Sequence, residues 1–268
     1  MGSRIGIVAG SGRFPGRAVE EALKRGLDCA VVSVSGATSK EFPVSKDVFL
    51  AAGPGDLEKI TSFFRDRDIK DILLAGKVDP GILLDPAALD REARTLFESL
   101  GSERGPEVVL QVLIEYLARQ GFRVIDPRPF LEPYFCGLGV LTAATPSPRI
   151  LRDMEFGWTR ARTLSDLDVG QTLVVRQGMV IAVEGLEGTD KTLERAGKLA
   201  GPGIVAIKVG RTRQDPRIDL PAVGLETVRI LIDVHGAALC FEAKTVPFFD
   251  REEAVRLADE AGLAIVAR

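Results

Sequence analysis

The sequence predicts an α/β protein of two domains, an amino-terminal Rossmann-like, mostly parallel sheet and a carboxy-terminal mixed α/β domain. Three observations carry this reading. Short apolar runs alternate with amphipathic helical spacing through both halves, the rhythm of strand-helix-strand units. A stretch with five prolines, residues 126–149, interrupts that rhythm near the middle. The composition, 46% apolar and 6% aromatic over 268 residues, is that of an ordinary globular α/β protein. The division expected is 1–128, a proline-rich linker over 129–148, and 149–268.

In the first half, Arg4–Gly10 reads as a strand that feeds a glycine loop, SGRFPG, and a helix from Arg17 to Arg25 with Ala18, Val19, Ala22 and Leu23 as its apolar face. Gly10, Ser11 and Gly12 form a candidate substrate-binding loop, because glycine lets backbone approach a ligand and the following helix start offers N–H groups to phosphate. The dinucleotide fingerprint is incomplete: Pro15 stands where its last glycine belongs, and the next strand, Cys29–Val34, ends without an acid for a ribose hydroxyl. Further strands are expected at Asp47–Ala51, Asp71–Gly76 and Phe122–Ile125, and helices at Asp56–Asp66, Leu83–Leu100 (capped by Asp85) and Pro106–Gln120. A parallel sheet puts Lys77, just past a strand end, near the glycine loop. In the proline-rich segment, Phe130, Leu131, Tyr134 and Phe135 either pack the segment down or line a groove.

The second half opens with a helix at Ile150–Thr163, then Leu173–Arg176 and Val180–Val183 as a hairpin. Gly188, Thr189 and Asp190 mark a glycine turn and an anion-favouring helix start, with Thr189 or Asp190 as cap. Glu184, Glu187 and Asp190 offer either metal ligands or solvated charge. Beyond the strand Ile204–Ile207 lies the most charged stretch, KVGRTRQDPRIDLPAVG, followed by helix Leu225–Asp233, strand Ala237–Phe241, helix Asp250–Ala261 and strand Leu263–Val266. Lys208, Arg211, Arg213 and Arg217 suit a polyanion such as a diphosphate, and its two carboxylates, Asp215 and Asp219, suit a divalent metal or a positioned water. A solvated loop of mutually paired charges is the bland alternative.

Several classes are disfavoured. A formal net charge of −3 argues against a nucleic-acid binder, so no nucleic-acid partner is expected. Cys29, Cys136 and Cys240 share no close spacing, so neither a disulfide framework nor a zinc site is indicated, and Cys29 and Cys240 read as inert core. His235, the only histidine, stands before Gly236 at a helix end and reads as a cap. With no signal peptide and no long apolar run, the expected location is cytoplasmic.

The ordered set GIVAGSGRFP, LAGKV, VIAVEGLEGTD and KVGRTRQDPRIDLPAVG, with a TVR close behind, resembles the LpxI family of UDP-2,3-diacylglucosamine diphosphatases along nearly the whole chain. The resemblance implies Mg²⁺-dependent hydrolysis of the UDP-2,3-diacylglucosamine diphosphate to UMP and 2,3-diacylglucosamine 1-phosphate, a step of lipid A biosynthesis. It implies a nucleotide-binding role for the first domain, and catalysis and lipid binding for the second. It matches Asp219 to an essential, metal-associated aspartate and places Lys208, Asp215 and Arg217 in the same motif. An acylated substrate also implies peripheral contact with the inner membrane, and a homodimer stays open. The competing classes are a nucleotide-dependent oxidoreductase and a non-catalytic nucleotide- or lipid-binding protein.

Overall fold

The computed structural model describes residues 3–78, 86–101, 106–213, 215–217 and 220–268. These fall into two compact units: Met1–Leu131 with a short piece that begins at Asp215, and Glu132–Gln214 with Leu220–Arg268.

The first unit is a doubly wound parallel sheet, as the strand-helix rhythm predicts. Its strands are β1 (Arg4–Ala9), β2 (Asp28–Ser33), β3 (Phe49–Ala51), β4 (Asp71–Ala75) and β5 (Arg123–Val124), in the order β3-β2-β1-β4-β5. Apolar runs such as IGIV and ILLA are continuous because both faces of a parallel sheet are covered. On one face Ile5, Ile7, Val31 and Leu73 pack against Ala18, Val19 and Ala22 of α1 (Phe14–Lys24) and against Phe130. On the other, Val32 and Ile72 pack with residues of α2 (Leu57–Arg65), α3 (Arg91–Glu98) and α4 (Pro106–Arg119). The connection from β2 to β3 holds two 3₁₀ turns, Ser39–Glu41 and Lys46–Val48. Gly36 and Pro43 explain this, since neither supports a helix interior.

One helix differs from expectation. In place of a single helix over 83–100, a 3₁₀ turn at Pro86–Ala88 precedes α3, and the cap is Asp90, which accepts the Ala93 N–H at 2.7 Å. The Asp85 cap expected there lies outside the described residues.

The second unit is a mixed sheet between helical layers. It comprises β6 (Gly139–Val140), β7 (Thr172–Arg176), β8 (Met179–Val183), β9 (Val205–Lys208), β10 (Ala238–Phe241) and β11 (Ala264–Ala267), ordered β6-β11-β10-β9-β7-β8. Strands β9, β10 and β11 are parallel, while β7 runs antiparallel to both β9 and β8. The predicted hairpin is present, and its turn residues Gln177 and Gly178 have φ of 51° and 72°, as a tight two-residue turn demands. The buried Asp153 accepts both turn N–H groups, at 2.9 and 2.7 Å.

Residues 128–140 contain α5 (Arg128–Leu131), a 3₁₀ turn and β6. Phe130 and Leu131 are buried; Phe130 packs into the core of the first unit, and the Tyr134 ring lies 5.0 Å from that of Phe249 in the second. Helix α6 (Pro148–Asp166) covers one face of the second sheet. The other face is covered by α7 (Gly188–Ala200), α8 (Leu225–Asp233) and α9 (Arg251–Ala261).

Candidate active site

The antiparallel start of β7 and the parallel ends of β8 and β9 meet at one edge of the second sheet, where Thr172 pairs with Lys208. Lys208 is only 4% exposed, which is tolerable for an ammonium group only when its N–H donors find acceptors. Its Nζ donates to Thr189 Oγ1 at 2.6 Å and to Thr172 Oγ1 at 3.1 Å. Thr189 in turn donates to Glu184 Oε1 at 2.8 Å, and Glu184 Oε2 stands 3.7 Å from Lys208 Nζ.

The structure therefore brings together two predicted residues, Lys208 and Thr189, beside the glycine turn at Gly188, whose φ is 79°. It also corrects the helix cap. The N-cap of α7 is Glu187, and Thr189 lies inside the first turn with its hydroxyl turned into the buried network. Asp190 is exposed on that turn. Of the acids read as alternative metal ligands, Glu187 pairs with Arg195 at 2.5 Å, which holds its carboxyl below the usual range. No group of three or more His, Cys, Asp or Glu side chains converges on one point among the described residues.

Beyond Lys208 the chain is pinned at its root. Glu242 accepts the Gly210 N–H at 2.9 Å and Arg162 at 2.5 Å, and Arg162 also donates to the Gly210 carbonyl, so the peptide groups on both sides of Gly210 are held. Asp166 accepts the Thr212 N–H at 2.6 Å and the Thr212 hydroxyl at 2.8 Å; the backbone bond is the chief reason its pKa is lowered. Arg211 pairs with Asp168. Farther on, Asp215 takes Arg217 in a bidentate pair with contacts of 2.5 to 3.1 Å, an arrangement that depresses the carboxyl pKa, with Arg128 adding to the effect. The paired-charge reading thus describes Arg211, Asp215 and Arg217 in this state. Asp219 lies outside the described residues.

In the first unit, Lys77 does come to the glycine loop. Ser11 N–H donates to the Lys77 carbonyl at 2.7 Å, and Lys77 N–H returns a bond to Ser11 at 2.9 Å. A Cβ on Gly10 would stand 2.4 Å from that Lys77 carbonyl oxygen, so the missing side chain at Gly10 serves close backbone packing. The N–H groups of Gly10 and Ser11 are occupied by Ala75 and Lys77. Gly12, with φ of 98° and open space around it, leads into the start of α1 and is exposed together with Ser11 and Arg13. His235 has φ of 52° directly past the end of α8, a helix-end position.

Sequence reasoning missed Thr172, Arg162, Glu242 and Asp166 as supporting residues. Each reaches its partner across 32 to 48 residues of sequence, through strand register or helix packing. Only an unpaired-looking threonine at a strand start and acids at a helix end could have hinted at them.

Comparison with known proteins supplies the remaining evidence. Residues 4–134 match the model of the LpxI N-terminal domain and residues 137–266 that of the LpxI C-terminal domain. A protein from Caulobacter vibrioides, UDP-2,3-diacylglucosamine pyrophosphatase LpxI, is 28% identical over 279 aligned positions, covering 98% of this chain and 96% of that protein. With both domain models matched in order over nearly the whole chain, this protein belongs to the LpxI family.

Proposed function

We propose that the protein hydrolyses the diphosphate of UDP-2,3-diacylglucosamine in a Mg²⁺-dependent reaction, releasing UMP and 2,3-diacylglucosamine 1-phosphate. Family membership and the activity for which the Caulobacter relative is named support the reaction class. The observation that carries the reading is Lys208, a buried cation held on neutral hydroxyls beside the start of α7. Its direct acceptors are hydroxyls, and the Glu184 carboxylate at 3.7 Å offsets its charge only in part, so it is able to serve an incoming phosphate oxygen; the helix start adds favourable N–H groups.

Each residue then has a task. Lys208 and Arg211 neutralise the diphosphate, and Arg217 is a further cation of the same sequence motif, paired with Asp215. Gly188 and Thr189 shape the anion-facing turn, with Asp190 at its rim. In the first unit, Gly12 and the amino end of α1 take the nucleotide, with Ser11, Gly10 and Lys77 fixing the loop. Asp219 positions and deprotonates the attacking water or contributes to the metal.

The carboxylate beside Lys208, Glu184, is engaged by the Thr189 hydroxyl, and Asp219 is the carboxylate that the family motif supplies. That donor set fits a cation held mainly by substrate phosphates and water with one or two protein carboxylates, the common arrangement for Mg²⁺. Bound there, Mg²⁺ would supply charge neutralisation at the phosphates. Among the described residues no helix is long and apolar enough to cross a membrane, so the acylated substrate would be met at a bilayer surface or in dispersed form.

The test is incubation of the purified protein with UDP-2,3-diacylglucosamine, with Mg²⁺ and with a chelator, following UMP and the acylated sugar phosphate. Metal-dependent release of both supports the proposal. Intact substrate recovered from a folded protein that binds it overturns it in favour of a carrier.

A further inference from the structure

We propose that Glu184 is a positioning residue for this reaction, one that keeps Lys208 an N–H donor by fixing the direction of the Thr189 hydroxyl; the inference rests on the hydrolytic reading above. The argument is one of hydrogen-bond direction. A threonine hydroxyl has a single proton and lone pairs for acceptance. Glu184 Oε1, 2.8 Å from Thr189 Oγ1, is an acceptor when ionised and takes that proton. Thr189 therefore offers only lone pairs to Lys208, whose Nζ is 2.6 Å away. The weaker Thr172 to Thr189 approach of 3.4 Å must then be donated by Thr172, which leaves its own lone pair for Lys208 at 3.1 Å. Every hydroxyl around Lys208 is thus set to accept, and the second carboxylate oxygen, 3.7 Å from Nζ, adds an opposite charge.

Two donors of the ammonium are spoken for in this way, and the role assigned to the third is to serve a phosphate oxygen, which needs neither hydroxyl to turn. Preorganisation of this kind lowers the barrier because the donor is not turned during the reaction. Two other carboxylates of the surrounding elements are committed elsewhere. Glu242, following β10, holds Gly210 and Arg162, and Glu187, the N-cap of α7, holds Arg195. Glu184 is the carboxylate tied both to Lys208 and to its hydroxyl acceptor.

The experiment compares Glu184→Gln, which keeps the shape and an acceptor for Thr189 but removes the charge, with Glu184→Ala, which removes both. Two readouts are taken on the full chain: kcat and KM with UDP-2,3-diacylglucosamine, and the Nζ ammonium resonance of Lys208 in substrate-free, ¹⁵N-lysine-labelled protein, assigned with Lys208→Met. Glu184→Ala should lower kcat roughly 10²-fold, the lower range for a positioned proton-handling group, with KM changed much less. Glu184→Gln should recover part of that loss, and the hydrogen-bonded ammonium signal should weaken in Gln and vanish in Ala. A Glu184→Gln protein with wild-type kcat and an unchanged ammonium signal overturns the proposal, and it does so even if Glu184→Ala fails to fold. If the wild type itself does not hydrolyse the substrate, the hydrolytic reading has failed and the catalytic role of Glu184 fails with it. The ammonium signal still reports separately whether Glu184 orients Lys208.

Discussion

Asp166 shows how a residue far from the charged motif governs its shape. Its carboxylate receives two bonds from Thr212, and the resulting pKa lies below the ordinary aspartate range near 3.9. Because the folded-state value is the depressed one, the stability this carboxylate contributes is complete above the unfolded-state pKa. It is lost as pH falls through the folded-state value. An Asp166→Asn protein should therefore have a lower urea midpoint than wild type at pH 7, and the gap should close as the pH falls through the depressed folded-state value. A gap of equal size at both ends of that range would assign the effect to packing. Asp219 belongs to the same scale by sequence and family alone. Asp219→Ala should fold and bind substrate while turnover falls by ~10²–10⁴, and near-normal turnover would remove it from the mechanism. The motif containing these charges was legible because charge density and glycines are local properties. Its internal pairing was not, since Asp166 and Asp168 arrive from the end of α6 and the loop after it, and nothing in their spacing names Thr212 or Arg211 as partners.

At the scale of elements, the site depends on how closely the loop before β7 lies against the end of β8. Gly170 marks that approach: a Cβ there would stand 2.1 Å from the Glu184 carbonyl oxygen, a backbone atom that cannot swing aside. Gly170→Ala should cost about 1–3 kcal/mol, the usual price of overpacking, read as a lower urea or thermal midpoint. It should also reduce turnover, since Glu184 must shift to relieve the contact. Stability equal to wild type would mean the loop relaxes freely and does not position Glu184. The strands and most helices were legible from periodicity, and α8 falls on the span predicted for it. The exceptions have local causes. Asp90, not Asp85, caps α3, and α7 starts at Gly188 behind Glu187, so that Thr189 is freed from capping to turn inward. A capping signature lists several eligible polar residues within one turn, and tertiary partners choose among them.

For the whole molecule, the two units each cover both faces of a sheet, and each contains one strand cysteine in its core, Cys29 on β2 and Cys240 on β10. Burial pushes the Cys29 thiol up to about 11, with Asp28 adding to the shift, and burial pushes Cys240 up to about 12. Thiolate is the reactive form, so neither should react with an aromatic disulfide reagent in native protein at pH 8. Both should label in denaturant, each with the loss of its own unit, and labelling can be followed by mass spectrometry against circular dichroism. Rapid native labelling of either would show that its sheet opens locally. The sequence by itself determined the fold class, the family, the apolar faces and the charged stretch, because these rest on local periodicity, composition and ordered motifs. Tertiary structure decided that Lys208 is buried, that Thr172, Thr189 and Glu184 surround it, and that Glu242 and Arg162 hold the peptide beyond it. Those relations come from the β7–β9 register and from helices packed across the sheet, and such contacts join residues whose separation in the chain carries no period to read.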